Sequence, residues 1–155
     1  MTRFRILALV GACSLVAAVP VAAQQPPDIR AEAQTFVRQY VEAINRADAP
    51  AIMEMYARVP EVTSADNTDI TRGWDAIRKD AASLAQNRYR MELGTVDVVP
   101  LGPDHALAVA EVTYTFGTPQ GSLRVRGVLT LVLQKIGDAW KVIHDHSSSQ
   151  SPGGD

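Results

Sequence analysis

Cysteine occurs once in the 155 residues, at Cys13. If the N-terminal segment is removed as argued below, no thiol remains, which excludes both disulfides and thiol catalysis. Aromatic residues make up only 6%, and no aromatic-basic stripe suited to nucleic acid is present. An excess of one charge is also lacking. The 15 Lys and Arg nearly balance 17 Asp and Glu, for a formal net charge of −2. There is thus no basic surplus for nucleic acid and no charge block for a membrane surface. P-loops, nucleotide-binding glycine motifs and hydrolase triads are absent too.

The long hydrophobic run that does occur lies at the N-terminus. Arg3 and Arg5 form a positive start, Ile6 to Pro20 is apolar or small, and Val21-Ala22-Ala23 precedes Gln24. This is the pattern of a secretory signal peptide over 1–23. A membrane anchor would need about 20 apolar residues with different flanks. Val10-Gly11-Ala12-Cys13 loosely resembles a lipoprotein cleavage site, but the residues after Cys13 stay apolar where a lipoprotein turns polar. The expected product is exported, periplasmic or secreted, with no membrane contact apart from export. Cleavage removes two bases and no acid, taking the net charge from −2 to −4.

The remaining length suits one domain. Residues 24–27 read as a linker. Asp28 is a helix cap, and Ala33, Phe36, Val37, Tyr40, Val41 and Ile44 recur at helical spacing over 28–47. Asp48 caps a second helix with Pro50 in its first turn. Residues 58–72 read as a loop around a short strand, Val62 to Ala65. Gly73 opens a third helix carrying Trp74, Ile77, Ala81 and Leu84. After Asn87 the period becomes alternating, with strands expected at roughly 91–99, 105–116, 122–136 and 139–147. Short links make these neighbours antiparallel. The domain is expected to span 28–148, followed by a disordered tail at 149–155. The fold class is α+β: three N-terminal helices packed on one face of a curved antiparallel sheet, with a cavity left at one end. The other sheet face, with Val128, Val132 and Ile143, is expected to pair two copies as a homodimer.

Three segments carry a resemblance: Phe36-Val37-Arg38-Gln39-Tyr40-Val41-Glu42-Ala43-Ile44-Asn45-Arg46-Ala47-Asp48, Arg72-Gly73-Trp74-Asp75-Ala76-Ile77-Arg78, and Trp140-Lys141-Val142-Ile143-His144-Asp145-His146-Ser147. Together they resemble the SnoaL-like branch of the nuclear transport factor 2-like superfamily. That implies a cystatin-like α+β roll around a cone-shaped cavity. Ketosteroid isomerase, in the same superfamily, uses a carboxylate base with a tyrosine and a protonated aspartic acid as oxyanion donors. By this resemblance Tyr40 takes the place of the tyrosine. The base position falls on Ser64, with Asp66 two residues on, and the acid position falls near Leu129. A leucine donates no hydrogen bond and an unaided serine is no general base, so one of three roles is kept.

The leading expectation is therefore a domain that binds a small, largely apolar molecule. Tyr40, Tyr56, Trp74, Tyr114, His144 and His146 are the candidate ligand-binding residues. The alternatives are an isomerase-like or cyclase-like enzyme using Tyr40 with Asp66 or His144, and a non-catalytic assembly or partner-binding domain. His144 and His146 lie two apart and share a face of a regular strand, with Asp145 pointing the other way. A metal would need further ligands there, so no metal or other cofactor is expected. Glu111 is expected to pair with Arg126 on the sheet surface.

Overall fold

The computed structural model describes residues 28–67, 69–84, 89–119 and 121–150. The expected signal peptide at 1–23, the linker at 24–27 and residues 151–155 of the tail lie outside the described residues.

Helix α1 spans Ile29–Asn45, and the Asp28 carboxylate accepts from the backbone N–H groups of Arg30 and Ala31 at 3.1 and 3.2 Å. Helix α2, Ala49–Glu54, starts at Asp48, whose carboxylate accepts from Ala51 N at 3.0 Å. Both caps satisfy helix-end donors that lack intrahelical partners. Strands β1 (Thr63–Asp66) and β2 (Asp69–Arg72) follow as a hairpin. Gly73, at φ +84°, turns the chain from β2 into helix α3, Trp74–Leu84. That left-handed backbone favours glycine because it has no Cβ. Four long strands complete the chain: β3 (Tyr89–Pro100), β4 (His105–Thr118), β5 (Gly121–Ile136) and β6 (Ala139–Ser149).

The sheet order is β2-β1-β6-β5-β4-β3. All neighbours are antiparallel except β1 and β6, which run parallel. Two details differ from the sequence reading. The 58–72 segment holds two strands where one was expected, because Asn67 adopts φ 46° and reverses the chain, a conformation asparagine tolerates. Strand β6 also runs past 148: Ser149 N donates to Asn67 Oδ1 and Gln150 N to Arg126 O, both at 3.1 Å.

The core lies between the helices and the inner sheet face. Val37 of α1, Leu131 and Leu133 of β5, and Val142 of β6 are among its fully buried side chains. Strand β3 is a sheet edge, and α1 guards it. Arg30 donates to Val98 O and Gln34 to Val96 O, while the Asn45 amide both donates to Met91 O and accepts from Met91 N at 2.8 Å. These bonds occupy edge groups that would otherwise invite another strand. Near the start of α1, Glu32 accepts from Trp140 Nε1 at 2.8 Å and from Lys135 Nζ at 3.0 Å. Those two bonds hold its carboxyl below the ordinary range.

Among the described residues no helix covers the outer sheet face. Val109 and Val128 are exposed there, and Val132 is half-buried. The expected Glu111–Arg126 pair does not form. In the register Glu111 faces Val128 and Arg126 faces Thr113, and the ion pair on this face is Arg124 with Glu92 at 2.7 Å.

Candidate functional site

The helices and the inner sheet face enclose a cavity of about 370 Å³. Its apolar wall comes from every layer: Ile44 of α1, Ile52 of α2, Ile77 and Ala81 of α3, and Met91, Phe116 and Leu129 of the sheet. Its polar groups are concentrated in three tyrosines, two carboxylates and the serines of β1 and β6.

Asp145 is the buried charged side chain among the described residues, 6% exposed. Tyr56 Oη donates to its Oδ1 at 2.9 Å and Ser64 Oγ to its Oδ2 at 3.2 Å. Tyr40 Oη lies 2.8 Å from Tyr56 Oη. Since Tyr56 gives its proton to Asp145, Tyr40 donates to Tyr56 when Asp145 is ionised. A hydrogen-bonded chain thus runs from α1 through Tyr56 to β6. Tyr56 is fixed where it is needed because the residues after α2 pair with β6: Ala57 N donates to Val142 O and Val142 N to Met55 O.

Burial pushes the Asp145 carboxyl up from 3.8 to about 6, outweighing the Tyr56 and Ser64 hydrogen bonds, which pull it down. The Tyr56 phenol is pushed well above 10, first by burial and then by its neighbours Tyr40 and Asp145. Tyr114 is raised to about 12, chiefly by burial, against the opposing effect of a hydrogen bond with Ser147. These tyrosines are therefore neutral donors at physiological pH, and Asp145 exchanges a proton near it. Tyr114 reaches this position across Gly127. A Cβ there would overlap Tyr114 Cε2 and the Ser148 carbonyl oxygen, so glycine makes room for the ring.

A bulge in β6 decides which side chains enter the cavity. Leu133 pairs with Val142 and Val132 with His144, leaving Ile143 as an extra residue. Without it, Trp140, Val142, His144 and His146 would share one face. With it, alternation shifts by one after Val142. Asp145, Ser147 and Ser149 line the cavity, and His144 and His146 turn to the outer face. His144 Nδ1 lies 2.7 Å from Thr63 Oγ1 on that side.

The expected site residues thus divide. Tyr40, Tyr56, Tyr114 and Asp66 line the cavity. His144 and His146 do not, because of the bulge. Trp74 also lies elsewhere, at the start of α3, with the Arg58 guanidinium 4.6 Å and that of Arg78 5.7 Å from its ring centre. Ser64 and Leu129 are both in the wall, where the isomerase resemblance put them. Asp145 is the residue the sequence reading turned away. The adjacent apolar pair Val142-Ile143, which breaks strict alternation, is the signal that marks the irregularity.

Residues 33–152 match the family described as the SnoaL-like domain. The chain belongs to the SnoaL-like domain family. Solved structures agree with this SnoaL-like fold. A nuclear transport factor 2-like superfamily protein from Salmonella enterica serovar Typhimurium is 19% identical with a TM-score of 0.70, over 80% of this chain and 92% of that one. A protein with a cystatin-like fold from Caulobacter vibrioides is 24% identical with a TM-score of 0.66, over 79% and 89%. A ketosteroid isomerase-like protein from Erwinia carotovora atroseptica is 20% identical with a TM-score of 0.66, over 81% and 98%. At these identities the likeness concerns the fold. No curated protein matches this SnoaL-like chain.

Proposed function

We propose that this SnoaL-like domain binds a small, largely apolar molecule in its cavity, with one polar group of that molecule set against Asp145. The observation that supports this reading is a buried carboxyl in the wall of an otherwise mainly apolar cavity of about 370 Å³. Such a volume falls in the range of small-molecule sites, where a few convergent polar groups fix orientation. Calorimetry with a series of ring compounds differing in one polar substituent tests it. Binding should depend on the substituent, and that dependence should weaken in Asp145→Asn. If no compound binds the wild type at millimolar concentration, or if Asp145→Asn binds the whole series unchanged, the reading falls.

A second reading concerns proton transfer, favoured by the position of the Asp145 pKa at about 6. A carboxyl there takes and returns protons efficiently near neutral pH. In an isomerase-like step, Asp145 takes the proton from the carbon between a carbonyl and an alkene, and returns it to the far alkene carbon. Of the two expected partners of Tyr40, His144 faces away, while Asp66 lines the cavity with Tyr40 and differs from Asp145 in being exposed. Conversion of cyclohex-3-enone to cyclohex-2-enone, followed by ultraviolet absorbance, is the assay. Equal rates for wild type and Asp145→Asn refute it.

A further inference from the structure

Two carboxylates look into the same cavity. Asp145 is buried, and Asp66 on β1 is exposed. The parallel register sets Ser64 beside Asp145 and Asp66 beside Ser147. The two acids are therefore offset by two residues on one face of neighbouring strands, roughly 8 Å apart between Cα atoms from the strand spacing and rise. One ammonium group hydrogen-bonded to both carboxylates spans that gap.

The surroundings match such a group. Among the described lining residues none is Lys, Arg or His; the imidazole that acts on Asp145 is that of His146, on the outer face of the sheet, and its effect is smaller than that of burial. The charge of Asp66 adds to burial in opposing ionisation of Asp145. Four aromatic rings, Tyr40, Tyr56, Tyr114 and Phe116, also face this space. Ring faces within about 6 Å attract a cation, more strongly when water is excluded. An anionic ligand would meet the two acids with no compensating charge, and a neutral one would leave them uncompensated.

We propose that the cavity receives a small organic cation: a protonated amine on an apolar body, its ammonium held between Asp145 and Asp66 and its body against the aromatic and aliphatic wall. This rests on the binding reading above and narrows it to one class of ligand.

The test is calorimetry at neutral pH with three probes sharing a phenyl body: 2-phenylethylamine, 2-phenylethanol and phenylacetate. The amine should bind at least about tenfold more tightly than the alcohol, and phenylacetate most weakly. Asp66→Asn and Asp145→Asn should each weaken the amine by about fivefold or more and leave the alcohol within about twofold. Asp66 is exposed, so its variant keeps the test valid if Asp145→Asn fails to fold. If the alcohol binds as tightly as the amine, phenylacetate binds best, or Asp66→Asn leaves the amine unaffected, the cation assignment is overturned while the cavity remains a ligand site. If none of the three binds the wild type, both readings are overturned.

Discussion

Replacing Asp145 by asparagine separates the cost of burying a charge from every other property of the site. Folding moves this carboxyl from 3.8 to about 6, which at about 1.4 kcal/mol per pH decade amounts to about 3 kcal/mol. The direction follows from proton counting. Between pH 3.8 and about 6 the unfolded chain has released this proton and the native protein still holds it. Stability from this group is therefore fully present below pH 3.8 and is lost as pH rises through about 6. Asparagine does not titrate. The stability of Asp145→Asn relative to wild type should rise by about 3 kcal/mol between roughly pH 3.5 and 7.5, whatever constant offset comes from its altered bonds to Tyr56 and Ser64. Urea unfolding of both proteins across that range measures the difference. A pH-independent difference, or a wild type that gains on the variant as pH rises, would refute the reasoning that burial dominates at this carboxyl.

Tyr56→Phe removes a hydrogen bond that pulls the Asp145 pKa down, so NMR titration of that carboxyl should find it raised above about 6, and an unchanged or lower value contradicts the hydrogen-bonded chain. Gly127→Ala forces a methyl group against Tyr114 and the Ser148 carbonyl; it should cost about 1–3 kcal/mol in urea unfolding and alter the near-ultraviolet circular dichroism of the tyrosines. The uncovered outer face with Val109, Val128 and Val132 supports our proposal of a homodimer through the sheet. Light scattering should find dimers at tens of micromolar and monomers for Val132→Glu, and a monomeric wild type rejects it.

Helix positions and most strand positions were legible because local rules set them. Asp28 and Asp48 cap the helices where their carboxylates can reach backbone donors. Leu129, Leu131 and Leu133 alternate inward as a half-buried strand requires. The β2 strand was not legible. Its four residues have little apolar content and are mostly exposed, so they carry no alternation, and their pairing depends on the left-handed Asn67. Trp74 was misplaced for a different reason. A tryptophan at a helix start fits a pocket wall or helix-to-sheet packing, and here it lies beside Arg58 and Arg78, outside the cavity wall.

The parity of β6 is the deeper lesson, because it exchanges one chemistry for another. Alternation is counted from an anchored residue, and Trp140 and Val142 anchor the inner face correctly. One unpaired residue, Ile143, then reverses the meaning of every position after it. On one side of that choice the cavity would hold two imidazoles, which accept or donate protons and can carry positive charge. On the other it holds Asp145 and the serines of β6, and becomes a negatively charged, hydroxyl-rich pocket. Val142 is paired on its free edge by the chain leaving α2, while His144 to Ser147 are paired by β1. Two separate segments thus meet the same edge on either side of Ile143, and β6 changes phase between them. The segment between those two contacts, residues 58–62, lies outside the cavity wall. It joins the Tyr56 anchor to the Ser64 strand, and both of those residues donate to Asp145.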